Sequence, residues 1–185
     1  DPVVPAAEAV APQWFADAAF VGDSVSVMLE NYNTSTGRLG SPAFFCSVSL
    51  SQTNALSYQA GNARLPEYPK GSGQHPLVAD GIASAGAKKV YLMLGMNCIA
   101  GGVDRASQDL VTLVDQILAK SPKAAIFIQS VTPMTADSPR ADDALNNGTI
   151  QAFNERMRQI CQEKQWYFVN VAEAVSDENG FLRSE

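Results

Sequence analysis

Five short apolar runs punctuate the chain: Ala18 to Val21, Ala43 to Cys46, Lys89 to Leu94, Ala125 to Ile128 and Trp166 to Val169. Each is nearly uninterrupted in hydrophobicity, as expected of strands covered on both faces. Between them lie segments of helical period. Asp104 to Lys120 carries Ala106, Leu110, Leu113, Val114, Ile117 and Leu118 at i, i+3, i+4, i+7 spacing, and Ser121-Pro122 stops it. Asn146 to Thr149 offers N-cap chemistry for a helix whose apolar side holds Ile150, Phe153, Met157, Ile160 and Cys161. Val25 to Glu30 and Pro76 to Ala85 read as further helices, the second closed by Gly86, and another fits between Ser51 and Ala60, ending at Gly61. Strands alternating with helices predict an α/β chain: a three-layer α/β/α sandwich around a five-stranded parallel sheet, flavodoxin-like in type. In such sheets ligands bind outside the carboxyl ends of the strands, near the switch in strand order.

Composition narrows the partners. At 185 residues the chain is long enough for one domain with a proper core, and 46% apolar against 17% charged residues is a globular mixture. A formal charge of −6 and the lack of a basic stripe argue against nucleic acid. There is no run of 18 apolar residues, so no membrane span is predicted. Cys46, Cys98 and Cys161 form no C-x-x-C pair; Cys46 and Cys161 fall on apolar runs and read as small buried hydrophobes. Residues 1–13 read as a Pro/Ala-rich tether, with Pro2, Pro5 and Pro12 spaced by alanine and valine, and 14–185 as the folded domain. Such a tether commonly follows a removed secretion or lipoprotein signal, so an extracytoplasmic location is expected. Trp14-Phe15 is read as packing the tether against the body, with a substrate platform as the lesser alternative.

The residues just after each strand carry the functional argument. Val21-Gly22-Asp23-Ser24 joins the first strand to a helix, setting a hydroxyl where backbone N–H groups and the helix dipole favour developing negative charge. The plain alternative is that Ser24 merely caps the helix. Ser47-Val48-Ser49 follows the second strand, Gly95-Met96-Asn97 the third, and Gln129 to Pro133 the fourth. A serine after one strand and a carboxamide after another can supply a nucleophile and an oxyanion donor. The same edge residues are also ordinary loop composition.

Gly22-Asp23-Ser24 and Gly95-Met96-Asn97, taken in this order, resemble the blocks of the SGNH (GDSL-type) hydrolases, and the likeness runs from about Ala18 to Leu182. The resemblance implies Ser24 as nucleophile and Asn97 as a side-chain oxyanion donor. It implies a backbone donor just after the second strand, where Ser47, or more weakly Ser49, stands in place of the family's glycine. It implies no metal or organic cofactor, and a small-molecule or glycan ester as substrate, such as an O-acetyl group. The chain departs from the family pattern in three places. A serine replaces the second-block glycine. Cys98 replaces an aspartate that holds the loop after Asn97, and thiols are poor acceptors. The family's last block, aspartate and histidine three apart, has no counterpart; Val169 to Leu182 reads as the stretch preceding it, so the chain is expected to stop short of its catalytic base, the alternative being a protein that has lost it. His75, the only histidine, sits in a loop ahead of a helix and reads as a bystander.

Remaining features have plain readings. Asp142-Asp143 reads as a solvated helix start, not a metal site. Ser130 to Ala144 is long for such a connection and borders the expected site, where it can shape a pocket. The rival functions are a non-catalytic binding module of the same fold, and an anion-binding domain using the same strand-turn-helix. The absence of a glycine-rich phosphate loop and of nearby basic residues counts against the latter. Oligomeric state has no signal in the sequence.

Overall fold

The computed structural model describes residues 1–57 and 65–183. Its sheet contains β1 (Ala18–Gly22), β2 (Ala43–Cys46), β3 (Lys89–Met93), β4 (Ala125–Gln129) and β5 (Tyr167–Val169), all parallel, in the order β2-β1-β3-β4-β5. The five apolar runs are these five strands, each within a residue of its expected bounds. The order reverses between β1 and β3, which makes the carboxyl ends of those strands the switch point of the sheet.

The helices are α1 (Ser24–Thr36), α2 (Gln52–Ala55), α3 (Val78–Ala85), α4 (Val103–Lys120), α5 (Asn147–Lys164) and α6 (Val171–Val175). The expected α2 begins where anticipated, capped by Ser51; its continuation to Ala60 and the stop at Gly61 lie outside the described residues. Helix α1 is longer than the Val25–Glu30 stretch and ends on Gly37 at φ 67°. Helix α5 starts on Asn146 in a reciprocal cap with Thr149, and Ile150, Phe153, Met157, Ile160 and Cys161 are all buried.

Two layers of helices sandwich the sheet. Alternate residues on one face (Val21, Phe45, Val90, Leu92, Ile126, Ile128, Phe168) join the main core with Ile82 of α3, Leu110, Leu113, Val114 and Ile117 of α4, and Phe153 and Met157 of α5. The other face is an aromatic ladder crossing all five strands. Phe44, Phe20, Tyr91, Phe127 and Tyr167 stack with ring centroids 5.4, 4.9, 4.5 and 4.7 Å apart, one from each neighbouring strand. In-register pairing places them, since Phe20 faces both Phe44 and Tyr91, and Phe127 faces both Tyr91 and Tyr167. Leu29 of α1 and Phe15 cover this ladder at the β1 end.

The N-terminal segment is not wholly a tether. Val3 forms a parallel bridge with Phe168; Phe168 N–H donates to Pro2 O at 2.8 Å and Val4 N–H to Phe168 O at 2.8 Å. An edge strand exposes unpaired backbone groups, and residues 2–4 satisfy some of them. Trp14 packs onto the body as expected: its indole N–H donates to the Tyr91 hydroxyl at 3.1 Å, and Lys89 Nζ lies 4.7 Å from its ring centroid. Among the described residues no helix is long and apolar enough to cross a membrane.

Candidate active site

The geometry of the strand-turn-helix at Ser24 begins with Gly22. A Cβ at this position would lie 1.9 Å from Ser26 Oγ and 2.5 Å from Ser26 Cβ, so only glycine lets α1 settle this closely on the end of β1. Asp23, not Ser24, is the N-cap: its carboxylate accepts the Val25 N–H at 3.0 Å. Ser24 is thereby the first helical residue. Among the described residues neither its hydroxyl nor its backbone N–H has a hydrogen-bond partner. The capping role that sequence reasoning weighed for Ser24 belongs to its neighbour, and the serine keeps a free oxygen beside a free donor. Asp and Ser are near-equal caps, so this one-residue distinction was beyond the sequence.

Asp23 is only 4% exposed. Burial raises its carboxyl above the ordinary range, while the Val25 N–H and the charge of Arg140 pull it back. Arg140 belongs to the long connection between β4 and α5, which therefore brings a positive charge within electrostatic reach of the turn.

The loop after β3 is held by its own backbone. Gly95 O accepts Cys98 N–H at 2.9 Å, Ile99 N–H at 3.0 Å and the Cys98 thiol at 3.4 Å. Gly101 N–H and Gly102 N–H then close on Cys98 O and Ile99 O. These bonds fold the loop without a side-chain carboxylate at position 98. Asn97 is exposed on it, and its Nδ2 donates to Leu50 O at 3.0 Å, which ties the loop after β3 to the loop after β2. A carboxamide nitrogen has two hydrogens, so one remains after that bond.

The expectation for Ser47 needs correction. Its N–H donates to Gly22 O at 3.2 Å, extending the β1–β2 ladder by one rung, and is thus not available to an oxyanion. Two residues on, Ser49 has φ 64° in a turn closed by Leu50 N–H on Ser47 O at 3.1 Å. That is a conformation glycine favours, and the Ser49 N–H has no partner among the described residues. On this loop the Ser49 N–H, not that of Ser47, is left without a partner among the described residues.

Ser24, Ser49 and Asn97 therefore sit on three adjacent strand ends at the switch point, since Gly22 pairs with both Cys46 and Met93. Their side chains do not all open into one space. Asn97 lines a cavity of about 500 Å³ with Ser49, Ser51, Thr53, Cys98 and Arg105, and Ser24 is not among its lining residues. A second concavity, about 580 Å³, lies by the ends of β4 and β5 between α5 and α6, and neither Ser24 nor Asn97 lines it.

Thiols offer no competing nucleophile. Burial, with the charges of Asp109 and Asp23, pushes the Cys98 thiol up to about 12, and burial alone takes Cys161 to about 12. Cys46 is likewise raised by burial. Thiols held neutral at pH 7 are inert. His75 is exposed, its Nδ1 2.7 Å from Leu65 O, in a loop whose Lys70 pairs with Glu30 and whose Tyr68 packs on Phe45. No contact links it to Ser24 among the described residues. Asp142 accepts the N–H groups of Ala144 and Leu145 at 2.8 and 2.6 Å, shaping the turn before α5. Among the described residues no cluster of His, Cys, Asp and Glu could hold a metal ion.

Two asparagines that sequence reasoning missed brace the β4–α5 connection. Asn154 accepts Val131 N–H and donates to Val131 O, both at 2.8 Å; Asn147 does the same with Met134 at 2.7 and 3.1 Å. Each carboxamide mimics a strand edge for one loop residue, a role that leaves no local pattern in the sequence.

Comparison with known proteins agrees with the fold. Residues 20–185 match the model of a family described as GDSL-like lipase/acylhydrolase. A GDSL-like lipase from Bacteroides thetaiotaomicron VPI-5482 superposes with a TM-score of 0.67 at 17% identity, covering 96% of this chain and 78% of that one. A carbohydrate esterase family 3 protein from Talaromyces cellulolyticus gives 0.54 at 13%, covering 90% and 87%. A serine-to-alanine mutant of an acetyl esterase, solved with acetate ion, gives 0.55 at 13%, with the same two coverages. No curated protein matches the chain.

Proposed function

The chain belongs to the GDSL-like lipase/acylhydrolase family, and on that premise we propose that it is a serine-dependent esterase acting on a small or carbohydrate-linked ester through an acyl-enzyme. The observation carrying this reading is the turn at Ser24: a hydroxyl without a partner among the described residues, at the first position of a 13-residue helix, beside its own free N–H. Attack of the Ser24 oxygen on the ester carbonyl turns the carbonyl oxygen into an oxyanion. The Ser24 N–H, the Ser49 N–H and the second Asn97 Nδ2 hydrogen are the donors assigned to it. The bond from Asn97 to Leu50 O fixes the amide in advance, so it does not reorganise as charge develops. Collapse expels the alcohol, and water then releases the acid.

Proton removal from Ser24 is assigned to none of the described residues, because the only histidine is His75 and no Asp-x-x-His occurs among the 185 residues. The 185-residue chain should therefore hydrolyse p-nitrophenyl acetate slowly, and added imidazole should restore part of the roughly 10²–10⁴-fold that a general base supplies. Ser24→Ala should abolish the imidazole-stimulated rate, and Asn97→Ala should lower it by about 10²–10³. An imidazole-stimulated rate that survives Ser24→Ala refutes the assignment. A chain that binds esters yet never turns them over would be a binding module of this fold.

A further inference from the structure

The cavity beside Asn97 contains one cation among its lining residues. Arg105, in the first turn of α4, lines it together with Asn97 and the hydroxyl-bearing Ser49, Ser51 and Thr53. Its guanidinium has no ion-pair or hydrogen-bond partner among the described residues. The natural partner one helical turn on, Asp109, is instead engaged by the Thr53 hydroxyl at 2.5 Å. Asp109 makes no ion pair with Arg105 among the described residues. Guanidinium groups present a planar fork of donors that matches a carboxylate, and hydroxyls and carboxamides around it suit a polar ligand over a hydrocarbon one. The lining carries hydroxyls, carboxamides and one guanidinium among apolar atoms, and the molecule as a whole carries −6. An unpaired cation beside the candidate oxyanion donor is therefore a local exception to the charge of the chain.

Resting on the esterase reading above, we infer that the substrate is an ester bearing a carboxylate, which Arg105 receives in the cavity next to Asn97. The carboxylate can sit on the acyl group or on the alcohol, and the chemistry at Arg105 is the same. Arg105 binds and orients; the bond-making atoms are those of Ser24 and the ester.

Three probes separate these cases: phenyl acetate, phenyl hydrogen adipate with its carboxylate on the acyl side, and 4-acetoxybenzoate with its carboxylate on the alcohol side. The quantity read is kcat/KM for each anionic ester divided by that for phenyl acetate, with imidazole present. At least one ratio should fall by about tenfold or more in Arg105→Gln, fall less in Arg105→Lys, and shrink as salt rises, since an exposed ion contact is screened. Which ratio falls identifies the side of the ester. Ratios that stay within about twofold in Arg105→Gln overturn the inference and leave the esterase reading standing. If no ester is hydrolysed in a Ser24-dependent way, the esterase reading fails, and calorimetry with adipate decides this one separately. Binding to the wild-type chain that Arg105→Gln abolishes supports it; equal binding, or none to either, overturns it.

Discussion

At the scale of single residues, Asp23 matters most, because it frees Ser24 from capping and is itself a buried carboxyl. Its folded pKa is raised above the ordinary 3.8 chiefly by burial. Between the unfolded and folded values the native state binds more protons than the unfolded chain. Its contribution to stability consequently falls as pH rises through that window, and stays at the lower level above it. Asp23→Asn keeps a cap acceptor and has no charge to desolvate. It should match or exceed the wild type in urea midpoint at pH 7, with the advantage vanishing toward pH 3. Asp23→Ala loses the cap and should cost about 1 kcal/mol. A lower midpoint for Asp23→Asn than for Asp23→Ala at pH 7 would contradict this account. Residues were also the scale least legible in sequence. Ser24 and Asn97 stood out because they follow strands, but the choice of Ser47 over Ser49 failed. Which N–H completes the β1–β2 ladder and which turns away depends on sheet register, and no local pattern reports it.

At the scale of elements, two contacts set the rim. Gly22 admits Ser26 of α1 against the strand end, and a methyl group there meets the Ser26 side chain and Met93 O at 3.0 Å. Gly22→Ala should cost about 1–3 kcal/mol as overpacking and displace the amino end of α1. Imidazole-stimulated turnover should then drop while far-ultraviolet circular dichroism is retained. The second contact is the Asn154 clamp on Val131, which is 4% exposed. Asn154→Ala strands a buried N–H and C=O and should lower stability by about 1–3 kcal/mol per unsatisfied group, measured by thermal unfolding. Helices α4 and α5 were legible because their apolar residues recur at 3.6 and their ends carry Ser121-Pro122 and Asn146. The short α6 and the 3₁₀ turns Pro12–Phe15 and Ile99–Gly101 were not, since one turn is too little for a period to register.

At the scale of the whole molecule, the parallel sheet was readable from five apolar runs because strands buried on both faces have little choice of composition. The aromatic ladder was present in those runs as Phe20, Phe44, Tyr91, Phe127 and Tyr167, yet its continuity is a property of register and strand order. The N-terminal pairing of Val3 with Phe168 was hidden by a proline-rich composition that looks the same whether it is free or docked. The sheet places the ends of β2, β1 and β3 side by side, so that residues 24, 49 and 97 follow neighbouring strand ends on one edge. The most direct test of that arrangement is peptide mapping by mass spectrometry after the chain reacts with an aryl organophosphonate in the presence of imidazole. A single adduct on the hydroxyl of Ser24, absent from Ser24→Ala and slowed in Asn97→Ala, is the predicted result. An adduct elsewhere, or labelling of Ser24 at a rate indifferent to Asn97, would contradict it.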